Sequence, residues 1–121
     1  DLNGKSVAVK TASMSATYAE SLADQYGFTV TYFEDSPTMY QAVVGGQVAA
    51  CFNDTPIMAS NIKDTGIGME IVDGTGNDPA AYGFAIFNAD NQELIDMFNK
   101  GLANIKANGT YDEIIAKYLG E

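Results

Sequence analysis

Histidine is absent from this 121-residue chain. That excludes Ser-His-Asp and Cys-His catalysis in their usual forms, and any histidine-ligated metal site. There is one cysteine, Cys51, so no internal disulfide can form. It lies inside an apolar run, which reads as a buried, inert thiol rather than a reactive one. Basic residues are scarce, at 6 against 16 acidic ones, for a net charge of −10. Nucleic-acid binding, which needs basic patches, is disfavoured. The acids are scattered, so no acidic tail is indicated. No stretch approaches the ~20 apolar residues of a membrane span, and no signal peptide is visible. The chain opens on Asp1-Leu2-Asn3-Gly4 without an initiator Met, which reads as a processed or cut-out segment.

What is present supports one domain with a real core. The chain is 46% hydrophobic and 11% aromatic, so disorder is not expected. Ser6-Val7-Ala8-Val9 reads as a short strand after a Gly4 turn. Ala16, Ala19, Leu22, Ala23 and Tyr26 repeat at helical spacing, with Gly27 as the stop. Phe28 to Phe33 alternates and is rich in β-formers, which predicts a second strand. Ser36 as N-cap and Pro37 as the first helical residue open a helix through Met39, Tyr40, Val43 and Val44, which ends at Gly45-Gly46. Val48 to Phe52 predicts a third strand, and Pro56 to about Lys63 the next helix. Met69 to Val72 and Tyr82 to Phe87 are further strand candidates, separated by a Gly-, Asn- and Asp-rich loop from Asp73 to Ala81.

Asp90 and Glu93 have the spacing of a capping box. The helix they open carries the stripe Leu94, Ile95, Phe98, Leu102 and Ile105. Thr110 and Glu113 form a second such box, before a helix with Tyr111, Ile114, Ile115 and Tyr118 facing inward. Asn108-Gly109-Thr110 matches a glycosylation sequon, but a helix stop followed by a cap explains it better. Asp73 and Asp78 lack calcium-loop spacing and read as an ordinary loop. Alternating strands and helices through the first two-thirds argue for βαβ units and a parallel sheet covered on both faces.

Two loops carry groups capable of chemistry. Asn53-Asp54-Thr55-Pro56 follows the third strand, with Thr55-Pro56 reading as the helix cap and first helical residue. Asp54 then stands at a strand's C-terminal end, where open α/β sheets bind ligands. It reads either as a solvated turn aspartate or as a carboxylate held for a cationic group such as an ammonium. Lys10-Thr11-Ala12-Ser13-Met14-Ser15 joins the first strand to the first helix. The N–H groups of Ser13, Met14 and Ser15 near a helix N-terminus favour an anion, and Lys10 adds positive charge. The alternatives are a capping serine and a solvated lysine. No Walker loop is present. If the third strand lies beside the first, the two sites are neighbours and together suit a zwitterion.

These residues resemble a known family. Asp1 to Lys10 resembles the start of the second lobe in bacterial amino-acid-binding extracellular solute-binding proteins, family 3, of the type II periplasmic-binding-protein fold. Gly46-Gln47-Val48-Ala49-Ala50 is similar to the family's Gly-x-Val-Asp-Ala, with Ala49 in place of Asp. Asn53-Asp54-Thr55-Pro56 resembles its ligand-binding strand end. Tyr82-Gly83-Phe84-Ala85 and Asn108 to Ile114 resemble its C-terminal signature. The resemblance implies that Asp54 binds an α-ammonium and that the Met14 N–H lies at the α-carboxylate with Ser13 beside it. Lys10 and Asn53 would line the side-chain end of the pocket, as in glutamine-binding members. The family usually has Gly-Thr where this chain has Ala12-Ser13.

The family's first lobe carries an arginine for the carboxylate and aromatics around the ligand's side chain. No such lobe is visible in this sequence, and all 6 basic residues are lysine. The resemblance therefore implies a fragment: most of lobe two plus the returning C-terminal segment. The expected fold is α/β, a mainly parallel sheet of about five strands with helices on both faces and strand 82–87 antiparallel. Residues 1–81 would form the lobe-two core. Residues 82–121 would supply the returning strand and two helices, packed on the same lobe or swapped between chains in a homodimer. A separate polypeptide supplying the first lobe is the third option.

The implied function is capture of a polar, glutamine-like amino acid for a membrane ABC permease, outside the cytoplasm, without catalysis, cofactor or metal. Two alternatives come from other classes. An acid–base enzyme using Asp54 and Lys10 lacks a paired carboxylate. A receiver-like domain with Asp54 as phosphoacceptor lacks the acidic pair after the first strand, where Val9-Lys10-Thr11 stands.

Overall fold

Val7, Ala8 and Val9 are fully buried along β1 (Ser6–Lys10). Consecutive buried residues mean that both faces of the strand are covered, as in the centre of a parallel sheet. The computed structural model describes residues 2–77 and 82–119. The chain divides into two compact units, 1–77 and 78–121.

In the first unit β1 is followed by α1 (Met14–Tyr26), β2 (Thr29–Phe33), α2 (Ser36–Val44), β3 (Ala50–Cys51) and α3 (Thr55–Thr65). The strands run in the order β2-β1-β3 and are all parallel. Val7 is level with Val30 on one side and with Ala50 on the other. β3 is shorter than the predicted 48–52. The Ala49 N–H still donates to the Ser6 carbonyl at 2.8 Å, and the Phe52 N–H to that of Ala8 at 2.9 Å.

Side chains alternate across the sheet. Ala8 packs with Met39, Tyr40, Ala42, Val48 and Met58 under α2 and α3, with Cys51 against them. Val9 packs with Ala16 and Ala19 of α1, with Val30 and Phe52 against them. Helices therefore cover both faces, as the alternating pattern implied. Gly27 closes α1 at φ +68°, and a Cβ there would lie 2.6 Å from the Asn3 Oδ1.

Three local expectations are corrected. The cap of α2 is Asp35, whose carboxylate accepts from the Thr38 N–H at 2.8 Å, so Ser36 is already helical. The cap position of α3 is Asp54, not Thr55. The sheet has three strands among the described residues, not about five. A strand exists only through a partner, and neither 69–72 nor 82–87 forms one. Met69 instead turns back through a 2.7 Å bond to the Ile67 carbonyl and covers the α2 side of the core, while Val72 stays exposed. Residues 78–81 of the predicted loop, Asp78 included, lie outside the described residues.

The second unit holds a short 3₁₀ turn (Ala89–Asn91), α4 (Gln92–Ala107) and α5 (Thr110–Leu119). Asn88 caps the turn through the Asp90 N–H, so the expected Asp90–Glu93 box does not form. Asn108 likewise accepts from the Thr110 N–H at 3.0 Å, which places Thr110 inside the helix rather than at its cap. In place of the expected strand, Phe84 stacks on Phe98 with ring centroids 4.4 Å apart. No described residue of α4 or α5 is buried. No helix among the described residues is long and apolar enough to cross a membrane.

Candidate functional site

The C-terminal edge of the sheet brings the two chemically promising loops together. β1 and β3 are neighbours, with Ala8 level with Cys51. Lys10 ends β1, and Asn53 and Asp54 follow β3, so both loops leave the same edge of the sheet.

The first loop turns through Ala12, at φ +54° the one non-glycine residue with a positive φ among those described. Ser13 is the N-cap of α1. Its hydroxyl donates to the Lys10 carbonyl at 2.7 Å and accepts from the Ala16 N–H at 3.1 Å. The loop is thereby tied to the strand it leaves and the helix it enters. Met14 and Ser15 occupy the first two helical positions. Their N–H groups have no intrahelical acceptor and lie at the positive end of the helix dipole. Lys10 is exposed at the strand end. Capping thus accounts for the Ser13 hydroxyl but not for the Met14 and Ser15 donors.

The second loop follows from strand alternation continued past β3. Cys51 packs on the α2 side, Phe52 on the α1 side, and Asn53 returns to the α2 side. Phe52 meets Tyr18 edge-on at 5.9 Å and stacks on Phe28 at 6.1 Å. Asn53 Nδ2 donates to the Tyr40 phenol oxygen at 2.6 Å and, more weakly, to the Ser36 hydroxyl at 3.4 Å. Asn53 Oδ1 accepts from the Asp54 N–H at 2.9 Å. Asp54 opens α3 with φ −63° and ψ 128°, and its carbonyl accepts from the Met58 N–H at 3.0 Å. Its partly exposed carboxylate makes no capping hydrogen bond.

Tyr40 escapes a reading from sequence, where it is one apolar position among several on α2. It is 1% exposed. Burial pushes its phenol above the usual 10.0, the hydrogen bonds of Asn53 and Ser36 oppose that, and the charges of Cys51 and Asp54 add to it. The available signal was generic: a buried tyrosine hydroxyl needs a polar partner. Cys51 is partly rather than fully buried, and that burial pushes its thiol up to about 11. No cluster of three or more metal-binding side chains occurs among the described residues.

The family model for "Bacterial extracellular solute-binding proteins, family 3" matches residues 1–121. The arginine-binding periplasmic protein of Mannheimia haemolytica is 31% identical over 108 residues, which are 86% of this chain and 45% of that protein. The substrate-binding domain 2 of Lactococcus lactis GlnP, solved in an open conformation, superposes with a TM-score of 0.74 at 40% identity. That match covers 99% of this chain and 51% of the other. The second substrate-binding domain of a putative amino-acid ABC transporter from Streptococcus pneumoniae superposes with a TM-score of 0.76 at 36% identity, covering 99% and 54%. The chain thus spans about half the length of the relatives it matches.

Proposed function

The chain belongs to the bacterial extracellular solute-binding proteins of family 3, and from that premise we propose that it supplies one half of a receptor for a polar amino acid destined for ABC import. The observation that carries this reading is the pairing of opposite electrostatic ends on neighbouring strands. The start of α1, with Ser13, Met14 and nearby Lys10, suits a carboxylate. Asp54, one strand away, suits an ammonium. An α-amino acid presents both groups on one carbon, so the two half-sites select the zwitterion. Lys10 and Asn53 border the side-chain end.

The family is one of binding proteins rather than enzymes. Its match along the whole chain leaves the receiver-like and acid–base readings without support. The ligand is a glutamine-like or a cationic amino acid, since one relative carries the name of an arginine-binding protein. Capture takes place outside the cytoplasm, and a membrane permease receives the ligand. The remaining contacts come from a first lobe that closes over the ligand, because half of a clamshell leaves it open to water.

The test is calorimetric titration with glutamine and arginine, on this chain and on the receptor joined to its first lobe. The joined receptor binds one of the two, and the chain alone binds it weakly. Truncating one partner of a desolvated charge pair costs about 2–5 kcal/mol, so Asp54→Asn lowers the joined receptor's affinity by roughly thirtyfold or more. An unchanged affinity removes Asp54 from the ammonium site.

A further inference from the structure

We infer that Tyr40 is a positioning residue for Asp54, acting through the Asn53 carboxamide. The inference rests on the reading of Asp54 as a ligand group and extends it to a residue buried in the core.

The geometry is a relay with both ends defined. Tyr40 lies inside the core on α2, where its ring packs with Ala8, Met39 and Val48. Such a ring has little freedom, because protein interiors are close-packed. Its oxygen accepts from Asn53 Nδ2 at 2.6 Å, and the second Nδ2 hydrogen reaches Ser36 at 3.4 Å. Both amide hydrogens thus face α2. The opposite end of the same planar group, Oδ1, is thereby aimed at the Asp54 N–H, 2.9 Å away. A freely rotating Asn53 would hold that N–H only part of the time. With the amide pinned, the peptide between Asn53 and Asp54 has one orientation. The Asp54 Cα–Cβ bond then leaves the α3 start in one direction.

This explains two features together. Asp54 sits at a cap position without a side-chain capping bond, and the turn is held from behind by Asn53. A tyrosine is tolerated at a fully buried helix position because its hydroxyl has a partner. It also changes how Asn53 contributes: from the border of the pocket, it works chiefly by fixing its neighbour.

The experiment compares wild type with Tyr40→Phe and Asn53→Ala. Tyr40→Phe keeps the ring and removes the hydroxyl. Amide hydrogen exchange followed by NMR on the 121-residue chain needs no ligand. The expected result is exchange about tenfold faster at the Asp54 N–H, with exchange at Ala8 and Val9 unchanged. Uniformly faster exchange, or no change at Asp54, overturns the relay. The second readout is affinity for glutamine and arginine in the receptor joined to its first lobe. Tyr40→Phe weakens binding about tenfold in the wild-type background and less than twofold in the Asn53→Ala background. Independent, multiplying effects overturn the inference, since residues acting through one relay do not add. Failure of the wild type to bind either amino acid counts against the binding function, and the Asp54 exchange rate still decides the relay. If Tyr40→Phe does not fold, Asn53→Ala must show the same selective change at Asp54, and its absence overturns the inference.

Discussion

The Ser13 hydroxyl reaches back 2.7 Å to the carbonyl of Lys10, and the two close a loop in which Ala12 stands at φ +54°. The left-handed region costs an L-residue with a Cβ about 1–2 kcal/mol. Glycine adopts it freely but loses more entropy on folding. Relief of strain outweighs that loss. Ala12→Gly is expected to stabilise the chain by roughly 0.5–1 kcal/mol, read as a higher urea midpoint with an unchanged m-value. A lower midpoint would mean that this conformation carries no strain.

Ser13→Ala removes both bonds of the loop at once. Loss of a serine N-cap costs about 1 kcal/mol, and the Lys10 carbonyl is returned to water. The expected change is a destabilisation of about 1–1.5 kcal/mol, measured by urea unfolding. Ser13→Asp restores the cap but not the donated bond, and should recover part of the loss.

The Cys51 thiol gives a prediction with a defined sign. Burial raises it from 9.0 to about 11, so the unfolded chain releases that proton first as pH rises. The associated stability is complete below pH 9.0 and falls away as pH climbs toward about 11. Subtracting the alkaline denaturation profile of Cys51→Ala from that of wild type isolates this slope from the tyrosines. A thiol-specific reagent should react slowly at neutral pH and rapidly once urea unfolds the chain.

Asp35 behaves in the opposite sense. The Thr38 N–H holds its carboxyl below the usual 3.8. The stability it contributes is present above 3.8 and is lost as pH falls through the lowered folded value. Asp35→Asn keeps an N-cap acceptor but cannot titrate. Its urea midpoint should fall less than that of wild type across the same acid range, and parallel profiles would remove the cap from the acid response.

The stripe on α4 leads to a prediction about association. Met97 and Phe98 follow Leu94 by three and four residues, on one helix face, and the three are 49%, 62% and 41% exposed. Apolar surface of this kind seeks cover. Leu94→Lys with Phe98→Lys should lower both dye binding and the light-scattering mass at high concentration, leaving the circular dichroism of the first unit unchanged.

Local punctuation was legible because its causes are local. Gly27 ends a helix wherever its left-handed φ is needed, and Val7-Ala8-Val9 is a buried strand because no polar side chain interrupts it. The position of Asp54 at a strand end was equally plain from the switch between an apolar run and a proline-marked helix. The failures have two causes. Met69–Val72 and Tyr82–Phe87 have strand composition, but a strand depends on a partner that composition does not name. Asp35 and Asn88 displaced the expected caps by a residue or two, because several side chains compete for the same N–H groups.

By itself the sequence determined the αβ alternation, the single thiol, the absence of histidine chemistry and the residues at each strand end. These follow from side-chain identity and from periods of two and 3.6 residues. The tertiary structure alone decided which ends are neighbours. The order β2-β1-β3 makes the strand that ends at Lys10 and the strand that leads to Asn53 and Asp54 direct neighbours, because the third strand pairs across the first and not across the second. It also decided that Tyr40, distant in sequence and hidden in the core, would hold the turn that presents Asp54. A hydrogen bond between a helix interior and a loop depends on packing, and packing is settled only when the chain has folded.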